Sequence, residues 1–282
     1  MIIFDYNQVA ISNLMEQIGS TKEEVDENLV RHMILNTIRT YVKKYKESYG
    51  SNVVIACDSR HYWRKEIFPH YKANRKKHRD NSGHDWTKIF DCLNKIKEEL
   101  KENSPYKVIE IDTCEADDII SVLAQKYHTV ENIMILSSDK DFAQLQKFQN
   151  VSQFSPIMKK ELKENFPEKQ LKELIIRGDK NDGIPNILSD DDVFIVGKRQ
   201  KPIMEVKLTN WLNQKPDDFC DDYMKRNFNR NQMLIDLTMI PKELSEKVIN
   251  VYENYETKSK THFMNYMIKY RLKNLIEVIG EF

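Results

Sequence analysis

Four short, almost uninterrupted apolar runs constrain this chain more than any other feature: IIF (Ile2–Phe4), NVVIAC (Asn52–Cys57), YKVIEI (Tyr106–Ile111) and NIMIL (Asn132–Leu136). Runs this short and this apolar are strands buried on both faces. Between them lie stretches with helical spacing. Val25–Tyr49 carries Leu29, Met33, Ile38, Val42 and Tyr45, with Gly50 as a C-cap. Trp86–Leu100 carries Ile89, Leu93 and Ile96. A helix is expected from about Glu115 to Tyr127 with Thr113 as N-cap, and another from near Phe142. NVSQFS (Asn150–Ser155) reads as an edge strand. Strand–helix alternation of this kind is an α/β fold, a mostly parallel central sheet with helices on both faces.

Beyond about residue 156 helical patterns dominate, over Glu168–Gly178, Pro216–Leu237, Lys242–Tyr255 and Lys260–Ile279. The expected organisation is an α/β domain at 1–155 and a smaller, mainly helical C-terminal domain at 156–282. With 40% hydrophobic and 31% charged residues the chain is a soluble globular protein and not a disordered one. Its four cysteines lack zinc spacing and read as reduced core thiols in a cytoplasmic protein. No signal peptide or membrane span is expected, and the chain reads as a monomer.

Acids follow each of the four apolar runs. Asp5 follows the first and Asp58 the second. Asp112 and Glu115 follow the third, with Asp117 and Asp118 in the next helical turn, and Asp139 and Asp141 follow the fourth. Strand ends of a parallel sheet share one edge, where ligands bind. Any one Asp there can be a helix cap, but four acid-bearing strand ends point to a common site. Carboxylates about 4 Å apart repel by roughly 4 kcal/mol per pair at an effective dielectric of about 20. Converging acids therefore need cations, and oxygen-only ligands select Mg²⁺, with Mn²⁺ as a substitute. Two such ions suit phosphodiester cleavage.

The net charge is zero, from 44 basic and 44 acidic side chains, but the balance is uneven. From Arg60 to Arg79 the chain holds eight Lys/Arg (Arg60, Arg64, Lys65, Lys72, Arg75, Lys76, Lys77, Arg79) against Glu66 alone, with Tyr62, Trp63 and Tyr71 interleaved. Basic and aromatic residues in one long connection suit single-stranded nucleic acid, through phosphate neutralisation and base stacking.

The ordered set IIFDYNQ, ACDSR, YKANRKK, CEADDI, SSDKDF and GDKNDGIPN resembles the 5′-nuclease superfamily: flap endonucleases, the 5′-nuclease domain of bacterial DNA polymerase I and phage 5′-exonucleases. YWRKEIFPHYKANRKK and the helical tail are most similar to its T-even phage ribonuclease H branch. The resemblance implies one Mg²⁺ site near Asp5, Asp58, Glu115, Asp117 and Asp139, with Asp118 a variable member, and a second near Asp141, Asp179 and Asp182. It implies a basic arch over 59–85 that admits a single-stranded 5′ end, with Lys72 and Arg75 at the scissile phosphate and Arg64 at the arch base. Tyr71 joins the basic arch residues as a nucleic-acid contact. It further implies a helix–three-turn–helix duplex-binding element near 174–200. The family's glycine pair after that element is missing, because ILSDDDVFIVGKRQKP follows. Lys198, Arg199 and Lys201, or the last helices, are left to hold the duplex, and a potassium site is not expected.

The activity implied is a metal-dependent 5′→3′ exonuclease and flap endonuclease that removes RNA primers and 5′ flaps during replication. A nucleic-acid duplex is its partner, with a single-strand-binding protein and a sliding clamp by resemblance. The alternatives are a PIN-type endoribonuclease and a non-catalytic nucleic-acid-binding protein on a decayed nuclease fold.

Overall fold

The computed structural model describes residues 1–19 and 25–282, with the side chains of 77 and 78 left out, so the expected contact through Lys77 lies outside the described residues. Strands β1 (Ile2–Asp5), β2 (Val53–Cys57), β3 (Lys107–Glu110), β4 (Ile133–Leu136) and β5 (Val151–Ser155) are parallel, in the order β3-β2-β1-β4-β5. A sixth strand, β6 (Lys160–Leu162), pairs antiparallel with β5. β5 was expected at the edge. It is interior, because three residues of polar KEL cover it through backbone pairing alone.

Successive strand residues face opposite sides, so the uninterrupted apolar runs feed two cores. Ile2, Phe4, Ile55, Val108 and Leu136 face one side with helices α1 (Tyr6–Ile18), α2 (Glu27–Tyr49) and, beyond two short arch helices, α3 (Arg64–Ile67) and α4 (Asn74–Asp80), the long α5 (Trp86–Asn103). Ile3, Val54, Ile109 and Ile135 face the other, against α6 (Ala116–Tyr127) and a 3₁₀ helix at Lys140–Lys147. That 3₁₀ helix replaces the helix expected near Phe142. Helix α1 was not anticipated. Asp26 caps α2 by accepting from the Asn28 and Leu29 amides, so the helix starts two residues later than expected. Glu115, not Thr113, is the N-cap of α6; Thr113 has φ +70 in the turn before it.

The remaining helices are α7 (Pro167–Arg177), α8 (Glu205–Leu212), α9 (Pro216–Phe219), α10 (Asp222–Ile235), α11 (Lys242–Glu253), α12 (Lys260–Lys269) and α13 (Lys273–Ile276), before a 3₁₀ turn at Ile279–Glu281. The expected helix 216–237 breaks into α9 and α10. The one at 260–279 breaks where Arg271 takes φ +56. Helices α7, α8 and α10 enclose a third core with Phe68 and Tyr71 of the arch base. Helices α11 and α12 instead join the two sheet cores, through Val248 and Tyr252 on one face and Phe263, Tyr266 and Met267 on the other.

Candidate active site

The chain builds the sheet outwards from β1 in one direction through β2 and β3, then returns to the other side of β1 with β4. Such a reversal leaves a crevice at the carboxyl ends of the strands flanking it. Asp5 ends β1 and Asp139 lies three residues past β4, so both stand at the crevice. The Asp5 carboxylate accepts from the Gln8 amide (3.2 Å) and the Ser137 hydroxyl (3.1 Å). Asp58, just past β2, accepts from the Ala116 amide (2.7 Å) and the Asn7 carboxamide. Asp139 caps the 3₁₀ helix by accepting from the Asp141 amide (3.0 Å).

Asp5, Asp58, Asp117 and Asp139 line one cleft of about 310 Å³ with Asn7, Lys72 and Arg75. Asp117, Asp141, Asp179 and Asp182 line a smaller recess beside it with Arg64 and Tyr71. Asp5, Asp58, Asp117, Asp139 and Asp141 thus line two adjoining recesses that share Asp117, whereas Asp112 is exposed beside His61 and Glu115 lines neither. Asp179 and Asp182 come from the turn after α7. There Gly178 has φ +69, and a Cβ on it would sit 2.3 Å from the Ile184 carbonyl oxygen, so no other residue fits. Gly183 (φ +72) lets the same turn press against the His70 carbonyl of the arch, 3.0 Å from where its Cβ would be.

Burial, then the neighbouring Asp58, pushes the Asp5 carboxyl up to about 7. Burial and Asp139 push Asp141 up to about 8, and the same two causes raise Asp117 well above the ordinary range. Asp58 is raised by burial, despite Lys72 nearby. Buried acids that resist ionisation because of one another form a site short of positive charge. One Asp141 carboxylate oxygen is buried without a hydrogen-bond partner. Donors that are all oxygen, raised carboxyls and an unpartnered buried oxygen fit hard divalent cations. Among the described residues no three acidic, His or Cys side chains converge closely enough to hold an ion.

The arch base supplies cations of its own. The Lys72 ammonium bonds Glu115 and lies 3.7 Å from Asp182, while the Lys72 amide donates to the Asp182 carbonyl (2.8 Å) with φ +58. Arg75 pairs with Asp182, and Lys140 with Asp179 at 2.8 Å. Burial alone would raise Glu115 and Asp182. Lys72 with Arg64 at the first, and Lys72 with Arg75 at the second, hold both below the usual carboxylate range.

Other expected residues lie elsewhere. Arg64, expected at the nucleic acid, is 1% exposed. Its guanidinium donates to Glu115 (2.9 Å) and the Leu234 carbonyl (2.9 Å), and stands 2.8 Å from Asp118 as an ion pair outside hydrogen-bond geometry. Asp118 is fully buried. It accepts from the Trp63 indole (3.1 Å) and the Glu115 amide (2.8 Å) and lines neither cleft. Tyr71 is buried, with its hydroxyl 2.9 Å from Glu115. Arg60, Lys65 and Lys76 are exposed on the arch, Arg79 is half-buried, and Lys198 and Arg199 are exposed in the turn before α8. Asn7, Gln8 and Lys140 were not singled out. Their signal is their position, two and three residues past Asp5 and between Asp139 and Asp141.

Known proteins bear on this arrangement. Residues 10–175 match the family described as 5′-3′ exonuclease, N-terminal resolvase-like domain, and residues 166–282 match T4 RNase H, C terminal. Ribonuclease H of Enterobacteria phage T4 is 33% identical over 290 aligned residues, covering 99% of this chain and 95% of that protein. The exodeoxyribonuclease of Enterobacteria phage T3 is 30% identical over 132 residues, covering 44% of this chain and 41% of its own length. The T5 5′-exonuclease, solved with zinc ions, superposes with a TM-score of 0.65 at 17% identity over 90% of this chain and 98% of that one, a likeness of fold. By sequence along its whole length, and by the parallel sheet that gathers its acids, the chain belongs to the 5′-3′ exonuclease family of nucleases, in the branch that carries the T4 RNase H C-terminal domain.

Proposed function

We propose that this nuclease is a divalent-metal-dependent 5′→3′ exonuclease and flap endonuclease that trims RNA primers and 5′ flaps from duplexes. The observation that carries the reading is the cleft at the β1/β4 reversal, where Asp5, Asp58, Asp117 and Asp139 face Lys72 and Arg75. Asp5, Asp58, Asp117 and Asp139, with the buried Glu115, would hold one Mg²⁺, and Asp141, Asp179 and Asp182 a second. When bound, two such ions activate water and offset charge on the phosphoryl oxygens.

The chain's own residues do the rest. Asn7 and the Ala116 amide fix the Asp58 carboxylate, and Ser137 and the Gln8 amide fix Asp5, so the two acids keep their spacing. Lys72 and Arg75 stand where a phosphodiester in the cleft meets them, and their charge opposes the negative charge that grows as water attacks phosphorus. The arch at about 59–85 admits the single strand. The region 1–155 carries the chemistry together with Asp179 and Asp182, and the rest of 156–282 grips the duplex through the element near 174–200, Lys198 and Arg199. The ribonuclease H name of the T4 relative supports RNA among the substrates. The T5 flap endonuclease of the same fold, studied with DNA and metal ions, supports a flapped duplex.

The test uses 5′-labelled flapped, nicked and RNA-primed duplexes. Each is cut with Mg²⁺ or Mn²⁺ and left intact in EDTA. Asp139→Asn abolishes cutting while the duplex still binds. Normal cutting by Asp139→Asn, or cutting in EDTA, rejects the assignment.

A further inference from the structure

Aromatic side chains near the arch were expected to stack on bases, yet two of the three cannot. Trp63 is 5% exposed with its indole committed to Asp118, and Tyr71 is 3% exposed with its hydroxyl on Glu115. Tyr62 stays half-buried beside the Lys72 ammonium, and a further accessible pair of rings stands at the far foot of the arch, on the first turns of α5. Trp86 and Phe90 are half-buried, with centroids 5.6 Å apart and planes 37° apart.

These rings are held in place. The Trp86 indole N–H donates to the Ser82 hydroxyl (2.7 Å), which in turn donates to the Arg79 carbonyl (2.7 Å). The His84 ring stands edge-on to Trp86 at 6.4 Å. The Arg79 guanidinium lies 5.6 Å from the Phe90 centroid. Rings fixed before a ligand arrives lose little freedom on binding.

The platform is continuous with the acidic cleft. Arg75 and Arg79 are four residues apart on α4, so they share one face, about 6 Å apart along the axis. Arg75 lines the cleft and Arg79 reaches the rings. Lys76 and Lys88 are exposed on α4 and α5, as are Asp80 and Asp91, while Asp85 is committed to capping α5 through the Lys88 amide (3.1 Å). A cationic track that leads from a phosphodiester site to a preset pair of rings suits unpaired bases, whose faces are open, and not a duplex, whose faces are covered.

We propose that Trp86 and Phe90, flanked by Arg79, form a stacking platform for bases of the single-stranded 5′ segment within a few nucleotides of the cleavage point. This rests on the reading of the cleft as a nuclease site at a junction of single strand and duplex.

The test measures tryptophan emission and affinity with flapped DNA, without divalent cations so that nothing is cut. Of the three tryptophans, Trp63 is buried and Trp211 lies on α8, so Trp86 is the reporter. A flap with bases should quench emission, and Trp86→Phe should remove the quenching. A flap with abasic residues but intact phosphates should bind about tenfold more weakly than one with bases, as the loss of one stacked base predicts. Trp86→Ala and, separately, Phe90→Ala should bring that ratio close to one. The ratio is taken within each variant, so a loss of stability does not imitate the effect. Unchanged emission on flap binding, or the same ratio in both variants, overturns the platform. Cutting of the same flap with Mg²⁺ tests the nuclease reading separately: normal cutting without quenching sinks the platform alone, whereas failure to bind flapped DNA sinks both.

Discussion

Replacing Arg64 by Ala separates two roles for one arginine. Placed by sequence at the arch base, it would contact nucleic acid. In the structure it is a buried counter-ion that joins Glu115, Asp118 and the Leu234 carbonyl, with its guanidinium 4.6 Å from the Trp63 ring centre. Removing one partner of a buried ion pair costs about 3–5 kcal/mol, because the other charge stays buried and unpaired. Asp118 loses its cationic partner while Glu115 keeps Lys72, so the middle of that range is expected. For a chain of 282 residues the unfolding entropy is about 0.6 kcal/mol per degree, which turns the loss into a fall in Tm of about 5–8 °C. Arg64→Lys should recover part of it, since a lysine keeps the charge but not the fork that meets two acceptors. Thermal unfolding followed by circular dichroism gives the first number. The second comes from duplex affinity measured against salt. Each lost phosphate contact lowers the slope by about 0.9. Arg64→Ala should leave the slope unchanged, while Lys65→Ala on the exposed arch should lower it. A variant that melts within a degree of the parent and loses one unit of slope would refute the buried-counter-ion argument.

Three further outcomes are expected. Lys72→Ala should lower single-turnover cleavage about 100-fold, the scale of losing one donor to a developing oxyanion, while flap binding changes far less; equal losses in both would reject a role in the chemical step. Glu99 accepts from Arg31 (2.6 Å) and Tyr266 (2.9 Å), and although burial opposes it, Arg31 holds its carboxyl below the ordinary value of 4.5. Because the folded value is the lower one, the pair stabilises fully above pH 4.5 and loses its contribution as pH falls through the folded value. Urea midpoints for the parent and Glu99→Gln should differ at pH 7 and approach each other below pH 4.5; a constant difference contradicts this. Phe263→Ala removes a fully buried ring that meets Tyr106, Tyr266 and Phe282, and should cost about 3–5 kcal/mol in denaturant titrations.

The sheet and the gathering of acids were legible because parallel strands oblige their carboxyl ends to share an edge, and Asp5, Asp58 and Asp139 each follow an apolar run. Helix α1 escaped notice because it starts at once after β1, with Asp5 serving as strand end and cap together, so no turn residue marks its start. Strand β6 has no apolar pattern to read, since its pairing is carried by the backbone. Arg64 and Tyr71 look like their exposed neighbours in composition. Only the packing of α10 and α6 around them makes one a counter-ion and the other a bridge to Glu115. The polar turn that carries Asp179 and Asp182 came from resemblance alone, because spacing cannot say that a turn after α7 folds back onto the arch.

Helix α12 packs against α5, and Phe263, Tyr266 and Met267 join the core on that side of the sheet. During synthesis, α5 leaves the ribosome long before α12 does. The apolar face of α5 that α12 covers then waits open to water, where a growing chain is prone to stick to others or to be held by chaperones. Asp179 and Asp182 follow the last strand in the chain, so the acids they join are gathered only after the whole sheet has been made. Translation itself delays the appearance of cutting power until most of the polypeptide has been made.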